Sequence, residues 1–285
     1  MIVINTAAAL LSVFEAGRFN LEKWKAYMDA FVPEAKELCL GDLADCIHGG
    51  FSWEKDYLPV LESVFRDTKK REETIRSFSR VTQGLDEKIV SRFGQTVDVA
   101  IVLYLGLCNG AGWVTPVNGN ISILLGIEKI MELNWCDEQA MTGLIVHELG
   151  HVYQAQYGIL HRQTDPGSDH FLWQLFTEGV AMVFEQEIVG DPAYYHQDRD
   201  GWKAWCDSHA AYIRQSFRND LTTMTPQNQR YFGDWVRLDG HGDTGYYLGT
   251  RFVRYLMRFS TFDRIIGYDI EAVKAGFDAF LDADL

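Results

Sequence analysis

The segment from residue 137 to residue 157 constrains the fold most, because a helical pattern and an apolar surface coincide there with ionisable groups. Asp137 is a suitable N-cap, Glu138 puts an acidic group in the first turn, and Gly158 is a suitable helix stop. Apolar residues occupy most of its faces, namely Met141, Leu144, Ile145, Leu149 and Val152. A helix that is apolar nearly all round belongs in a core. The sequence therefore predicts a buried helix in this segment.

This predicted helix contains His147-Glu148-Leu149-Gly150-His151, which has the form H-E-x-x-H. Residues four apart lie on one helix face, so the two imidazoles can bind one Zn²⁺. Glu148 points to the side of that pair, where its carboxylate can reach a metal-bound water. This arrangement suits hydrolysis, because zinc lowers the pKa of its water to about 7 and the carboxylate accepts the proton. The alternative interpretation is two core histidines beside an accidental glutamate.

Catalytic zinc usually has three protein ligands, and Glu178 is the best candidate for the third. It lies near the start of residues 176–185, an apolar run with helical character, where an unpaired carboxylate would be costly. Gly179 and Ala181 would let this second helix approach the first one closely. The alternative role for Glu178 is that of a helix-start carboxylate satisfied by backbone amides. The rival candidates for the third position are His161, Asp169, His170 and Glu185.

Two of these rivals have a possible supporting role instead. His170 falls two turns before Glu178 and could line the same cleft. Glu185 falls two turns after Glu178, on roughly the same helix face. Its carboxylate could accept a hydrogen bond from one of the metal-binding histidines and so orient that ring, or it could form a salt bridge at the helix end. Both interpretations of Glu185 stay open at this point.

The H-E-x-x-H motif followed by Glu178-Gly179 on a helix resembles the gluzincin clan of zinc metallopeptidases, the thermolysin-like group. It is most similar to small bacterial families of zinc-dependent peptidases, which also carry a later Gly-Tyr-x-x-Gly segment, here residues 245–249. The resemblance extends over roughly residues 97–258. It implies a zincin-like fold and a peptidase activity. The chain departs from the pattern at Met182, where many thermolysin-like enzymes carry an acidic residue that holds one histidine.

The resemblance also implies a role for each matching residue. Zn²⁺ would be bound by His147, His151 and Glu178, and Glu148 would be the general base. Tyr246, at the tyrosine position of the later segment, would help to stabilise the oxyanion.

The tyrosine segment also has a physical interpretation of its own. Residues 240–245 are rich in turn-forming residues, and the pattern predicts a helix from Tyr246 to about residue 259. A helix N-terminus offers free amides and partial positive charge, which suits an anionic transition state. Arg251 on this helix could bind a substrate carboxylate. The alternatives are that the tyrosine packs and that the arginine forms a surface ion pair.

Two short β-branched runs, residues 97–104 and 120–125, predict strands, and the Gly and Asn residues between them indicate turns. In zinc peptidases of the resembling type, a sheet edge beside the metal binds the substrate backbone as an added strand. Residues 120–125, with Ile121 and Ile123, are either that edge or a buried strand.

The predicted fold class is α+β, mostly helical, with a small mixed sheet beside the H-E-x-x-H helix. Residues 1–95 are expected to form an N-terminal helical portion and residues 96–285 a zincin-like catalytic domain, together one compact unit. Pro33 interrupts a helical pattern over residues 21–40, and a helical stripe continues along residues 72–93.

Charge and cysteine content limit the partners and the compartment. A net charge of −14 argues against nucleic acid and anionic membranes as partners. The first 14 residues lack the basic segment and cleavage pattern of a secretory signal. The five cysteines are odd in number and show no C-x-x-C spacing, which favours free thiols in a reducing cytoplasm.

The sequence thus favours a cytoplasmic zinc metallopeptidase that acts on a peptide or protein substrate. Two other classes remain as hypotheses. One is a zinc-containing protein without catalysis that binds a peptide or partner, and the other is a zinc hydrolase of a non-peptide amide.

Overall fold

The computed structural model describes residues 1–117, 120–161, 168–233 and 235–283. About 60% of the chain is helical, and a small mixed sheet of four strands accompanies the helices. This confirms the predicted α+β class. Within the described ranges, every helix is too short or too polar to cross a lipid bilayer.

The described α-helices are α1 (Leu21–Phe31), α2 (Pro33–His48), α3 (Leu58–Arg66), α4 (Thr68–Thr82), α5 (Leu85–Phe93), α6 (Ile127–Glu132), α7 (Glu138–Tyr157), α8 (Ser168–Val189), α9 (Trp202–Ser208), α10 (Ala210–Asp220), α11 (Thr244–Leu256), α12 (Phe262–Ile265) and α13 (Ile270–Asp282). The described strands are β1 (Ile2–Asn5), β2 (Phe14–Glu15), β3 (Arg18–Phe19), β4 (Ala100–Tyr104), β5 (Gly112–Val117) and β6 (Asn120–Gly126).

The chain divides into two compact units, Met1–Glu148 and Leu149–Leu285. This division lies inside α7, whereas the sequence suggested a helical portion that ends at residue 95. Strand β1 pairs with β4, so the N-terminal residues share a sheet with residues that follow position 95. A lone strand leaves its backbone donors and acceptors unpaired, so β1 needs this neighbour.

The four-stranded sheet has the order β1-β4-β6-β5. Strands β1, β4 and β6 run parallel, and β5 is antiparallel to β6. All five residues of β4 are buried, which explains its continuous apolar run, since central parallel strands are covered on both faces. The predicted strands at residues 97–104 and 120–125 are thus confirmed as β4 and β6.

The position of β6 decides between the two interpretations of residues 120–125. Because β6 pairs with β4 on one side and β5 on the other, it is not an edge strand. Ile123 is fully buried and Ile121 is half-buried, so the predicted substrate-binding role of these two residues on a free edge is wrong. The two edge strands of this sheet are β1 and β5, and β5 includes Gly and Asn-flanked residues for which turns were predicted. Pro116 in β5 is typical of an edge, because proline cannot donate to a sheet ladder.

Each of the two helical patterns predicted in the first 95 residues, over residues 21–40 and 72–93, forms a pair of helices. Pro33 is the first residue of α2, where its missing N–H is no loss, so the pattern over residues 21–40 forms two helices. The stripe along residues 72–93 also divides into two, α4 and α5. Gly84 lies between them with φ +71°, a conformation that glycine adopts without strain.

In the second unit, α8 and α11 touch backbone to backbone through two glycines. A Cβ on Gly179 would lie 2.2 Å from the carbonyl oxygen of Gly249. A Cβ on Gly249 would lie 2.4 Å from the carbonyl oxygen of Leu175. Both distances are far below van der Waals contact, and backbone atoms cannot rotate away as side chains do. The close approach of α8 and α11 therefore requires glycine at both positions.

We expect Gly179→Ala to lower the free energy of unfolding by about 3 kcal/mol, because the added methyl would force α8 away from α11. Gly41→Ala is the matched control, since Gly41 is exposed within α2 and its Cβ would meet nothing within 4 Å. That change should raise the free energy of unfolding by about 0.5–1 kcal/mol through helix propensity. Urea denaturation of both variants measures the effects. A Gly179→Ala protein as stable as the wild type would contradict the close contact.

A fully buried carboxylate, Glu128 at the start of α6, holds the loop that follows β4. Its two oxygens accept hydrogen bonds from the amides of Gly106, at 2.9 Å, and Cys108, at 3.1 Å. Burial raises the pKa of Glu128 to about 7, although these hydrogen bonds oppose the shift. Between its ordinary pKa of 4.5 and this value, the folded state binds a proton that the unfolded state does not.

Stability should therefore fall as the pH rises from 4.5 to 7, and the contribution of Glu128 to this loss is about 3 kcal/mol. Glu128→Gln removes the titration and should flatten that part of the pH profile, apart from a constant offset for a weakened loop hydrogen bond. Glu132→Gln on the same helix is the control, because Glu132 is exposed. Denaturation at pH 5 and pH 8 gives the comparison. An equal difference between wild type and Glu128→Gln at both pH values would contradict the predicted titration.

Candidate metal centre

Helix α7 positions the H-E-x-x-H motif, and its predicted start and end are confirmed. The side chain of Asp137 accepts a hydrogen bond from the amide of Ala140 at 2.9 Å, as an N-cap does. The helix ends at Tyr157, directly before Gly158. His147 lies in its middle and is only 6% exposed, whereas Glu148 is half-buried.

Helix α8 lies antiparallel to the second half of α7 and brings Glu178 to His151. The Nε2 atom of His151 and the Oε2 atom of Glu178 are 3.4 Å apart. One residue earlier on α7, a Cβ on Gly150 would lie 2.7 Å from the Cα atom of Ala181. The prediction that Ala181 allows a close approach is thus confirmed, whereas Gly179 faces α11 instead. The small residues at this crossing let two polar side chains meet between apolar helices.

Three side chains converge here with donor atoms suited to a metal. His147, His151 and Glu178 each offer one ligand atom, and these atoms lie within 4.8 Å of one another. Two ligands that bind zinc at 2.0–2.1 Å with a tetrahedral angle lie about 3.3–3.4 Å apart. The separation of 3.4 Å between His151 and Glu178 agrees with that value. Two imidazoles and a carboxylate are also a donor set that zinc accepts, so the residues fit the ion.

A second group of possible ligands shares one histidine with the first. His147, Glu185 and His196 also offer ligand atoms within 4.8 Å of one another. The Nδ1 atom of His196 lies 2.9 Å and 3.1 Å from the two carboxylate oxygens of Glu185. Glu185 is fully buried, so this hydrogen bond offsets the cost of removing its charge from water. The pair lies about one turn before the end of α8, so the salt-bridge interpretation of Glu185 and its role as a support for a histidine both stay predictions.

At Met182, where the chain departs from the thermolysin-like pattern, the structure has an acidic residue one helical turn away. Met182 is fully buried, and its sulfur accepts a hydrogen bond from Gln197 at 3.7 Å. Glu185 lies about one helical turn further along α8 and belongs to the group that contains His147. An acidic residue is therefore present beside the histidines, displaced by one turn from the position that the resemblance suggested.

Strand β5 begins against the general-base candidate. A Cβ on Gly112 would lie 3.4 Å from Cγ and Oε1 of Glu148, and 2.8 Å from Cδ1 of Leu144. The absence of a side chain at Gly112 therefore leaves room for Leu144, and the start of β5 lies at van der Waals distance from Glu148. Since β5 is one of the two edge strands of the described sheet, its outer backbone groups begin next to Glu148.

The other rivals for the third ligand position lie elsewhere. His161 is exposed, and Asp169 forms a salt bridge with Lys274 at 2.8 Å. His170 is exposed and its ring contacts that of Phe171, so the structure does not bring it into either group of possible ligands.

Tyr246 and Arg251 both lie on α11, as predicted, although the helix begins at Thr244. Tyr246 is half-buried and its ring packs edge-to-face with Phe232, at a centroid distance of 6.1 Å. Its role in binding an oxyanion stays a prediction. Arg251 donates to the hydroxyl of Tyr247 at 3.3 Å and lines a cavity whose walls contain none of the possible metal ligands.

Two features of this centre were not predicted from the sequence. His196 lies in a loop and has no motif spacing to the other residues, so only the tertiary structure identifies it. Strand β5 carried a weak signal, the aromatic and β-branched run Trp113-Val114-Thr115 before Pro116, which the neighbouring Gly and Asn residues obscured.

Comparison with known proteins adds no relative. The chain matches no protein-family model, no curated protein and no solved structure at a significant level.

Proposed function

We propose that this chain is a zinc-dependent peptidase of the gluzincin type with a zincin-like fold. The observation that carries the proposal is the convergence of His147, His151 and Glu178 beside Glu148. Three protein ligands that leave one position open are typical of catalytic zinc, whereas structural zinc sites usually have four ligands. The proposal also agrees with the antiparallel edge strand β5, which begins against Glu148.

Of the two groups of possible ligands, the one with Glu178 suits a catalytic ion better. His151 and Glu178 have side chains that are 16% and 15% exposed, so a substrate and water can reach them. Glu185 has no exposed surface and is already held by His196. A histidine that binds metal usually has its other ring nitrogen held by a hydrogen bond. Glu185 and His196 are therefore better suited to hold His147 in position than to bind the metal themselves.

The chain's own residues then have separate tasks in peptide hydrolysis. Zinc, when bound, would supply Lewis-acid polarisation and a water of lowered pKa. Glu148 accepts a proton as the nucleophile forms, and the same carboxyl group passes it to the departing amine. The free edge of β5 aligns the substrate by backbone hydrogen bonds, which make few demands on side chains. Tyr246 donates a hydrogen bond to the developing oxyanion.

The proposed location is the cytoplasm. All five cysteines are free, and three of them, Cys39, Cys136 and Cys206, are buried. Free buried thiols are ordinary in a reducing compartment, where disulfides rarely persist.

The deciding experiment is metal analysis followed by digestion of a mixed peptide library. We expect about one zinc per chain, and peptide cleavage that stops on treatment with a chelator and returns with zinc. Digestion in ¹⁸O-labelled water should place the label in the new carboxyl termini, which identifies hydrolysis of the peptide bond.

Other outcomes would overturn the proposal in distinguishable ways. A folded protein that neither contains nor takes up zinc would remove the metal site. A zinc-loaded protein that binds peptides without cleaving them would be a binding protein. Cleavage of simple amides but not peptides would identify a different hydrolase.

A further inference from the structure

The second unit contains a cavity of about 350 Å³ beside α11, a volume within the usual range for small-molecule sites. Its walls carry four basic side chains, from Lys203, Arg251, Arg254 and Arg258, and one carboxylate, from Asp207. This is an unusual concentration of positive charge in a chain with a net charge of −14. The proposed peptidase function does not use this cavity, so a ligand bound there would be independent of that function.

Two of the arginines, Arg251 and Arg254, belong to α11, and Arg258 follows two residues after the helix ends at Leu256. Residues 251 and 254 are spaced by three, so their side chains leave the same helix face. All three arginines line the cavity. Cations at a helix C-terminus stabilise the helix dipole, but Arg251 lies in the middle of α11, where that effect is absent.

Two of the four basic side chains are already neutralised within the protein. Lys203 pairs with Asp207 at 2.6 Å, and Arg254 pairs with Glu187. Burial acts to raise the pKa of Asp207, yet hydrogen bonds from Lys203 and Tyr247 hold the pKa below its ordinary value. Asp207 is therefore ionised at neutral pH, and its carboxylate forms an ion pair with Lys203.

The other two, Arg251 and Arg258, form no ion pair within 4.0 Å with a carboxylate of the described residues, although the charge of Arg251 helps to lower the pKa of Asp207. Each guanidinium is instead covered on a face by an aromatic ring. The Cζ atom of Arg251 lies 5.7 Å from the ring centroid of Tyr247, and that of Arg258 lies 5.8 Å from the ring of Tyr255. A ring on the face leaves the N–H edge of the guanidinium available for an anion.

The remaining walls suit a planar organic group. Tyr195, Tyr247 and Tyr255 line the cavity together with Pro192 and Ala193. Burial raises the pKa of Tyr195 to about 12, so its phenol keeps its proton at neutral pH and remains a hydrogen-bond donor. The cavity thus combines donors of positive or neutral character with aromatic and apolar surface.

We propose that this cavity binds a small organic dianion, a ring that carries a phosphoryl group or two carboxylates, with Arg251 and Arg258 on its anionic end. Both anions present paired oxygens that match the guanidinium fork. The tyrosine and proline surfaces hold the ring.

Calorimetric titration of the zinc-loaded full chain tests this assignment. The probes are phenyl phosphate, phenylmalonate and benzyl alcohol, which has the ring without the charge. We expect saturable binding of at least one dianion, about 10-fold or more tighter than benzyl alcohol, and weaker at high salt. The ratio of the two dianions tells whether phosphoryl or carboxylate is preferred.

Substitutions of single cavity residues test whether the dianion binds in this cavity. Arg251→Gln and Arg258→Gln should each weaken the dianion about 10-fold, whereas Arg218→Gln, which removes an exposed arginine of α10 outside the cavity, should have no effect. Asp207→Asn should strengthen binding several-fold, because it removes the negative wall group and releases Lys203. A gain of affinity cannot arise from misfolding, so this variant protects the test against unstable arginine variants.

Several results would overturn the assignment. Binding that disappears after zinc removal would place the anion on the metal instead of in the cavity. Equal losses in Arg218→Gln and Arg251→Gln would indicate a general charge effect. Absence of saturable binding up to about 10 mM of either dianion would mean that the cavity binds no such ligand.

Discussion

Replacement of Glu148 by glutamine is expected to lower peptide turnover by roughly 10²–10⁴-fold while the zinc content stays unchanged. Glutamine has nearly the same shape, so the contact with Gly112 and the fold of α7 are preserved. Its amide cannot accept the proton that the attacking water must lose. Because Glu148 is not among the possible metal ligands, its loss should not release the ion.

The matched control for this change is Glu138→Gln on the same helix. Glu138 is exposed in the first turn of α7 and pairs with Arg80, so its substitution should leave turnover unchanged. Steady-state kinetics on a cleaved library peptide, with metal analysis of each variant, provides the measurement. Turnover within a few-fold of wild type in Glu148→Gln would sink the general-base assignment, even if the metal site proves correct.

Loss of a residue that only hydrogen-bonds to a metal ligand weakens metal binding by up to roughly 100-fold. Glu178→Ala is expected to weaken zinc binding by more than this. The substitution removes one of the three proposed ligands and would leave only His147 and His151 to hold the ion. Two ligands one helical turn apart hold zinc weakly, because the negative charge and the third coordination position are both lost. Peptide turnover should disappear with the metal.

Glu187→Ala is the control for this second change, because Glu187 lies on the same helix with a side chain that is also 15% exposed. It pairs with Arg254 and belongs to neither group of possible ligands, so its loss should leave the zinc in place. Zinc affinity is measured by competition with a chelator. If Glu178→Ala kept its zinc and His196→Asn lost it, the ion would be held by His147, Glu185 and His196 instead.

Much of the candidate centre was predictable because its signals are local. The spacing of His147 and His151 needs only a helix to place both rings on one face. The caps at Asp137 and Gly158 defined that helix from adjacent residues. Glu178 stood out because a carboxylate in an apolar run needs a partner. These inferences used chemistry that is contained in short segments.

The predictions that failed concerned relations between distant segments. Residues 120–125 were correctly predicted as a strand, but a strand's own residues do not tell whether one or both of its edges are paired. Similarly, Gly179 was correctly expected at a close helix contact, but the partner is α11 and not α7. A small residue permits close packing without specifying the neighbour.

The sequence by itself determined the α+β class, the helix that carries H-E-x-x-H and three possible metal ligands, because periodicity and caps act within a few residues. Only the tertiary structure decided that β5, and not β6, is an edge strand beside Glu148, and that His196 holds Glu185. It alone also brought Lys203 of α9 to the arginines of α11 around one cavity. These features depend on which surfaces meet after distant segments fold together, and that is decided by packing over the whole chain.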